Sequence, residues 1–225
     1  VSFLYFVKNG RRLWRMMNYE DAKLRGQAVA ILYQIGAIKF GKHILASGEE
    51  TPLYVDMRLV ISSPEVLQTV ATLIWRLRPS FNSSLLCGVP YTALTLATSI
   101  SLKYNIPMVL RRKELQNVDP SDAIKVEGLF TPGQTCLVIN DMVSSGKSII
   151  ETAVALEENG LVVREALVFL DRRKEACQPL GPQGIKVSSV FTVPTLIKAL
   201  IAYGKLSSGD LTLANKISEI LEIES

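Results

Sequence analysis

Thr135-Cys-Leu-Val-Ile-Asn-Asp-Met-Val-Ser-Ser-Gly-Lys-Ser148 holds the change of character on which the fold turns. The apolar run Cys136 to Ile139 is too short for a helix and suits a buried parallel strand. Polarity switches at Asn140-Asp141. Small residues follow at Ser144, Ser145, Gly146 and Ser148. A helix-period segment, Ile149 to Glu158, then ends at Asn159-Gly160, a C-terminal stop. The expected layout is strand, acidic tip, small-residue loop, helix. Backbone N–H groups of such a loop, with the helix N-terminus, favour an anion at one spot. Gly146 lets the backbone approach closely, and the three serines can each donate a hydroxyl hydrogen bond. Asp141 has the wrong charge for phosphate but can accept from sugar hydroxyls. An ordinary βα turn capped by Ser148 would use the same residues, so that alternative stays open here. A Walker A loop is excluded: Gly146-Lys-Ser148 matches its end, but the glycine it needs five residues earlier is Asp141.

Outward from this stretch the pattern is repeated βα alternation. Leu85 to Val89, Met108 to Arg112, Val162 to Leu170 and Ile185 to Phe191 read as strands. Thr92 to Tyr104, Pro194 to Tyr203 and Leu211 to Leu221 read as helices. Such alternation predicts an α/β fold with a parallel sheet covered on both faces. Ligands then bind beyond the carboxyl ends of the strands. Those ends carry Gly88-Val-Pro-Tyr91, Arg111-Arg-Lys113, Asn140-Asp141 and Asp171-Arg172.

Upstream, Glu20 to Ile35 reads as an amphipathic helix. Ile38 to Gly48 and Pro52 to Arg58 alternate around Gly48-Glu49-Glu50 and predict an antiparallel pair. Pro64 to Arg78 reads as a helix with Ser62 and Ser63 as caps. His43, the only histidine, stands on a strand beside Ile44 without an acid or nucleophile for partner, and is read as structural. The polar segment from Glu114 to Val126 is the candidate mobile loop.

The chain of 225 residues has ample length for a core. A net charge of +4 fits an anionic small substrate and does not call for nucleic acid. No apolar run approaches the length of a membrane span, so no membrane partner is expected. Cys87, Cys136 and Cys177 lack metal spacing. Cys87 and Cys136 lie in apolar strand runs as expected buried thiols, which points to a reducing, cytoplasmic location. Residues 1–17 are basic after an apolar start. They are read as an extension ahead of a start at Met16 or Met17, with a transit-like peptide as the alternative. Residues 18–225 are expected to form one domain.

Lys39-Phe-Gly41, Ser47-Gly48, Tyr54-Val-Asp-Met-Arg58, Cys87 to Leu94, Arg111-Arg-Lys-Glu114, Val126-Glu-Gly128, Ile139 to Gly146 and Leu170-Asp-Arg172 together resemble orotate phosphoribosyltransferase, a type I phosphoribosyltransferase. The likeness is strongest to the transferase domain of the bifunctional animal enzyme that makes uridine monophosphate. It runs from about Ala37 to Thr192. It implies a five-stranded parallel core, about 84–192, under a small hood built from about 38–60 and the C-terminal region. It implies that orotate and phosphoribosyl pyrophosphate give orotidine monophosphate and pyrophosphate, with Mg²⁺. It further implies a homodimer in which the mobile loop of one subunit closes over the other's site. No decarboxylase barrel follows, so a stand-alone form is expected.

Residue roles come with the resemblance. Asp141 and Lys113 would be catalytic, Asp141 holding the ribose hydroxyls and the metal. Arg112, Lys113, Asn140, Asp141, Met142, Val143, Ser144, Ser145, Gly146, Lys147 and Ser148 would bind phosphoribosyl pyrophosphate. Ser144, Arg172 and Tyr54 would bind orotate, whose carboxylate suits a guanidinium fork.

Four positions depart from the pattern. Ala46 stands where the family has a lysine before Ser-Gly. Gln116 replaces the loop lysine, Asp119 the loop glycine, and Asn140 the first acidic residue. Losing one preorganised contact of this kind typically costs about 10²–10³ in rate. Two classes follow: an enzyme, with Lys125 or Lys147 standing in for the missing cations, or a catalytically weak relative that binds a ligand or partner.

Overall fold

The computed structural model describes residues 19–44, 48, 50–78, 84–112, 125–174, 176 and 178–223. The helix α1 (Tyr19–Gln34) leads into a hairpin, β1 (Ile38–Ile44) and β2 (Glu50–Val55). A 3₁₀ turn (Met57–Ser62) and α2 (Pro64–Arg76) follow. Then come β3 (Leu85–Gly88), α3 (Thr92–Tyr104), β4 (Met108–Arg111), β5 (Val126–Glu127), β6 (Cys136–Val143), α4 (Lys147–Glu158), β7 (Glu165–Asp171), β8 (Lys186–Thr192), α5 (Val193–Tyr203) and α6 (Ser208–Ile223).

The main sheet runs β5-β4-β3-β6-β7-β8. Five of these strands are parallel, and the two-residue β5 joins β4 antiparallel at the edge. This is the α/β architecture expected from the sequence, with β5 added from within the polar segment after Arg112. Continuous apolar runs made the sheet predictable, because strands covered on both faces need not alternate. Every residue of β7 is buried. Leu86, Leu137, Ile139, Leu167 and Phe169 pack on the face covered by α2, α3 and α5. Cys87, Val138, Ala166 and Val168 pack on the face covered by α4. Each such aliphatic side chain contributes about 1.5–3 kcal/mol through burial.

The hairpin forms its own two-stranded sheet, with a bulge between Phe40 and His43. Its inner residues Ile38, Leu53 and Val55 join the same core as Met57, Val60 and α2. The hood is thereby fixed to the main body by apolar contact as well as by chain connection. The C-terminal helices complete it. The Tyr33 hydroxyl donates to Asp210 at 2.5 Å, and the Ser207 N–H donates to Tyr33 at 3.2 Å, tying α6 to α1.

Three local expectations are corrected. The strand expected to end at Ile139 continues to Val143, so Asn140 and Asp141 lie within β6. Ser148 does not cap α4: Gly146 occupies that position at φ 78°, and Ser148 lies in the first turn. Ser62 closes the 3₁₀ turn, and Ser63 stands at the head of α2 without a side-chain capping bond, Pro64 setting the first turn instead. Cys87 and Cys136 are buried free thiols, and burial pushes Cys87 up to about 11. Cys177 and residues 1–18 lie outside the described residues.

Gly88 marks the tightest approach between strand and helix beside the crevice. A Cβ there would stand 2.6 Å from the Ala93 carbonyl oxygen and 2.8 Å from the Leu94 Cα. Gly26, inside α1, has nothing within 4 Å of such an atom. Gly88→Ala is therefore expected to destabilise by about 1–3 kcal/mol, and Gly26→Ala to stabilise by about 0.5–1 kcal/mol. Urea midpoints of the two variants, read against the parent, check both signs.

Candidate active site

The loop between β6 and α4 is built to receive an anion. Gly146 adopts a left-handed backbone, and a Cβ there would meet Leu180 Cδ2 at 2.6 Å, so both conformation and space demand glycine. The N–H groups of Ser144, Ser145, Gly146 and Ser148 have no protein acceptor among the described residues. They sit at the positive end of α4. Ser144, Ser145 and Ser148 are exposed and able to donate. Met142 packs against the apolar core, and Val143 is buried with its carbonyl accepting from the Arg172 N–H at 2.8 Å. Val143 thus contributes through its backbone, by tying the loop to the end of β7.

Asp141 stands at the entrance to this loop. Desolvation by burial pushes its carboxyl up. The Met142 N–H, donating to Oδ1 at 2.9 Å, pulls the other way, and the negative charge of Asp56 in the hood adds to the rise. The hood carboxylate therefore lies near enough to act on Asp141 electrostatically. Asn140, only 7% exposed, donates through Nδ2 to the Met142 carbonyl at 2.7 Å. An amide at this position braces the strand end without adding another carboxylate beside Asp141.

Two Asp-x-Arg pairs flank the crevice. At the hood, Asp56 accepts from the Arg58 N–H at 3.1 Å and from Nε and Nη2 at 2.7 Å each. Arg58 holds the Asp56 carboxyl below its ordinary range despite desolvation. Beyond β7, Asp171 is 1% exposed and accepts from the Arg173 N–H and Nε at 3.0 Å and from Nη2 at 2.7 Å. Arg173 is committed to that contact. The neighbouring Arg172 side chain has no protein partner among the described residues.

The basic run after β4 divides. Arg111 turns to α4, donating to Thr152 at 3.1 Å and Glu151 at 3.4 Å, so it is structural. Arg112 is half-exposed at the strand end and pairs with Glu127 at 3.3 Å. Lys113 lies outside the described residues, as do Ala46, Gln116 and Asp119. Lys125 lies beside Arg112, whose N–H donates to its carbonyl at 3.0 Å, while its Nζ is paired with Glu158 at 2.6 Å, in the last turn of α4. Lys147 is at the correct end but 81% exposed, 4.0 Å from Glu151. His43 packs beside the Tyr54 ring at 5.3 Å, and its Nε2 is buried without a partner among the described residues. Sequence reasoning missed Asp56, Glu127 and Arg173; for Asp56 and Arg173 the available signal was an arginine two residues after an aspartate at the end of a strand.

The phosphoribosyl transferase domain family matches residues 60–193. The chain is 64% identical to "Orotate phosphoribosyltransferase" of Chlamydia caviae, over 91% of this chain and 99% of the relative. The chain belongs to the orotate phosphoribosyltransferase family. It is an enzyme of that family. It is also 41% identical to "Uridine 5'-monophosphate synthase" of Bos taurus, over 82% of this chain but 38% of that longer protein. Among solved structures, orotate phosphoribosyltransferase from Aeropyrum pernix superposes with a TM-score of 0.66 at 27% identity, covering 77% of this chain and 98% of that one. Among the described residues no helix is long and apolar enough to cross a membrane. Nor does any group of three or more His, Cys, Asp or Glu side chains form a metal cage there.

A carboxyl whose proton is held more tightly in the folded state costs stability once ionised. For Asp141 that cost begins as pH rises past the unfolded value of about 3.9 and is complete above the raised folded value. Asp141→Asn is thus expected to raise the melting temperature of the ligand-free protein at pH 7. The advantage should vanish below about pH 4. Thermal scans across that range test the sign.

Proposed function

We propose that the chain transfers a phosphoribosyl group from phosphoribosyl pyrophosphate to orotate, releasing orotidine monophosphate and pyrophosphate in pyrimidine biosynthesis. The observation that carries this reading is the loop whose N–H groups have no acceptor among the described residues, beside the half-buried Asp141. Ser144 to Ser148 would cradle the 5-phosphate, and Asp141 would accept from the ribose hydroxyls. As the bond from the anomeric carbon to pyrophosphate loosens, positive charge grows on the ribose and negative charge on the leaving group. The Asp141 carboxylate favours the first, and Arg112 with Lys113 the second. Arg172 and Tyr54 would receive the orotate carboxylate and ring.

Mg²⁺ fits this donor set. One carboxylate, Asp141, with diphosphate oxygens completes the kind of shell that magnesium favours over an all-protein cage. There it would neutralise charge on the leaving group. The reading also holds that the chain works as a homodimer in the cytoplasm.

Phosphoribosyl pyrophosphate with Mg²⁺ at about 100 times its dissociation constant should add roughly 2.7 kcal/mol, a rise of about 5–10 °C in melting temperature. Asp141→Asn should lose most of that rise. A scan showing no shift at millimolar ligand, or no orotidine monophosphate in a coupled assay, would count against the reading.

The four departures supply a second test. Ala46 and Gln116 stand where the resemblance expects cations aimed at the leaving group, and Asp119 adds a negative charge. Ala46→Lys with Gln116→Lys and Asp119→Gly should raise turnover at saturating substrate by about tenfold, or about 1.4 kcal/mol of barrier. Steady-state kinetics at low and high salt would read it. A fall in turnover would mean that the loop uses other residues.

A further inference from the structure

Arg58 donates through Nη2 to the Tyr54 phenol oxygen at 3.3 Å while gripping both oxygens of Asp56. A guanidinium only donates, so the phenol oxygen is the acceptor in this contact and keeps its own proton for another group. Among the described residues that proton has no acceptor. Tyr54 lies on β2 between Leu53 and Val55, whose side chains enter the core, so its ring is on the opposite, outward face. The His43 ring flanks it at 5.3 Å. Two residues further on, Asp56 caps the 3₁₀ turn. The chain of contacts from the turn through Asp56 and Arg58 fixes one orientation of the phenol. A pyrimidine base offers what that orientation needs, namely ring carbonyl oxygens that accept.

We propose that Arg58 is a positioning residue that holds the Tyr54 phenol with its proton turned toward the pyrimidine base. The inference rests on the functional reading above and deepens it. Arg58 touches no reacting atom; it acts through Tyr54. A purely structural role is a poor match, because the Arg58 side chain is 69% exposed and exposed ion pairs contribute little to folding. Tyr54 without Arg58 could turn its hydroxyl freely, and the directed donor would be lost.

The test compares Arg58→Ala, Tyr54→Phe, the double variant and Arg58→Lys, in steady-state kinetics with each substrate varied and in urea denaturation. Arg58→Ala and Tyr54→Phe should each raise KM for orotate about fivefold, the scale of one directed hydrogen bond. KM for phosphoribosyl pyrophosphate should stay within about twofold, and the urea midpoints should match the parent. The double variant should be no worse than either single one, because both remove the same contact. Arg58→Lys, which can still donate to the phenol, should recover part of the loss. Three results would overturn the proposal: an unchanged KM for orotate in Arg58→Ala, multiplying effects in the double variant, or a lowered urea midpoint tracking the kinetic loss. Failure of the unmodified protein to use orotate would instead overturn the functional reading beneath it.

Discussion

A carboxylate stands at the mouth of a cradle for anions, and the rest of the site answers to that opposition. Asp141 is desolvated at the carboxyl end of β6, one turn of loop away from N–H groups that attract negative charge. Left alone, burial would drive it toward the neutral acid, which could not serve a developing positive centre. The Met142 N–H, donating to Oδ1, favours the ionised form and offsets part of that rise, and Asn140 keeps the adjacent position uncharged. The glycine at 146 brings the cradle close without a side chain between. The loop and the carboxylate thus share one short stretch of backbone, and neither can shift without the other.

That stretch is held in place from both sides by the same local device. Asp56-Met-Arg58 and Asp171-Arg-Arg173 each put a carboxylate at a strand end, accept the N–H two residues on, and grip the arginine found there through both oxygens. Charge-assisted bidentate pairs of this kind are directional as well as strong. One clamp fixes the turn that leaves the hood, the other the turn that leaves β7. The second clamp also explains the division of labour between neighbours. Arg173 is consumed in shaping the turn, and Arg172, whose N–H binds the Val143 carbonyl, stands beside the loop after β6 with no partner for its guanidinium among the described residues.

The fold was readable because its signals are local and repeated. Apolar runs such as Leu137 to Ile139 and Ala166 to Leu170 cannot stay in water, and their alternation with helix-period segments leaves few arrangements other than a parallel sheet. The site was readable where backbone chemistry dictates residue type, as at Gly146 and the serines. It was less readable where side chains choose partners across the chain. Nothing near Lys125 in sequence announces Glu158, thirty-three residues on, as the partner of its ammonium. Arg111, Arg112 and Lys113 look equivalent as a run, yet strand geometry sends Arg111 back to Glu151 and Thr152 on α4. The extent of β6 is hidden in the sequence for a related reason: Asn140 and Asp141 are poor strand formers by composition, but pairing with β7 on one side carries them along.

The cations around the crevice reveal how such a site remains stable while empty. Arg58 is paired with Asp56, Arg111 and Lys147 lie near Glu151, and Arg112 meets Glu127. Concentrated positive charge without these carboxylates would repel itself and weaken the compact state. The pairs that border the open side, Arg112–Glu127 and Lys147–Glu151, are also the more exposed ones. Pairs of that kind hold about 0–1 kcal/mol each, so an incoming pyrophosphate could replace a carboxylate partner at small cost. Of the two clamps that shape the backbone, Asp171–Arg173 is the buried one, where breaking either partner costs several kcal/mol. Burial therefore sets the Asp171–Arg173 clamp apart from the exposed pairs, which stay within reach of a new partner.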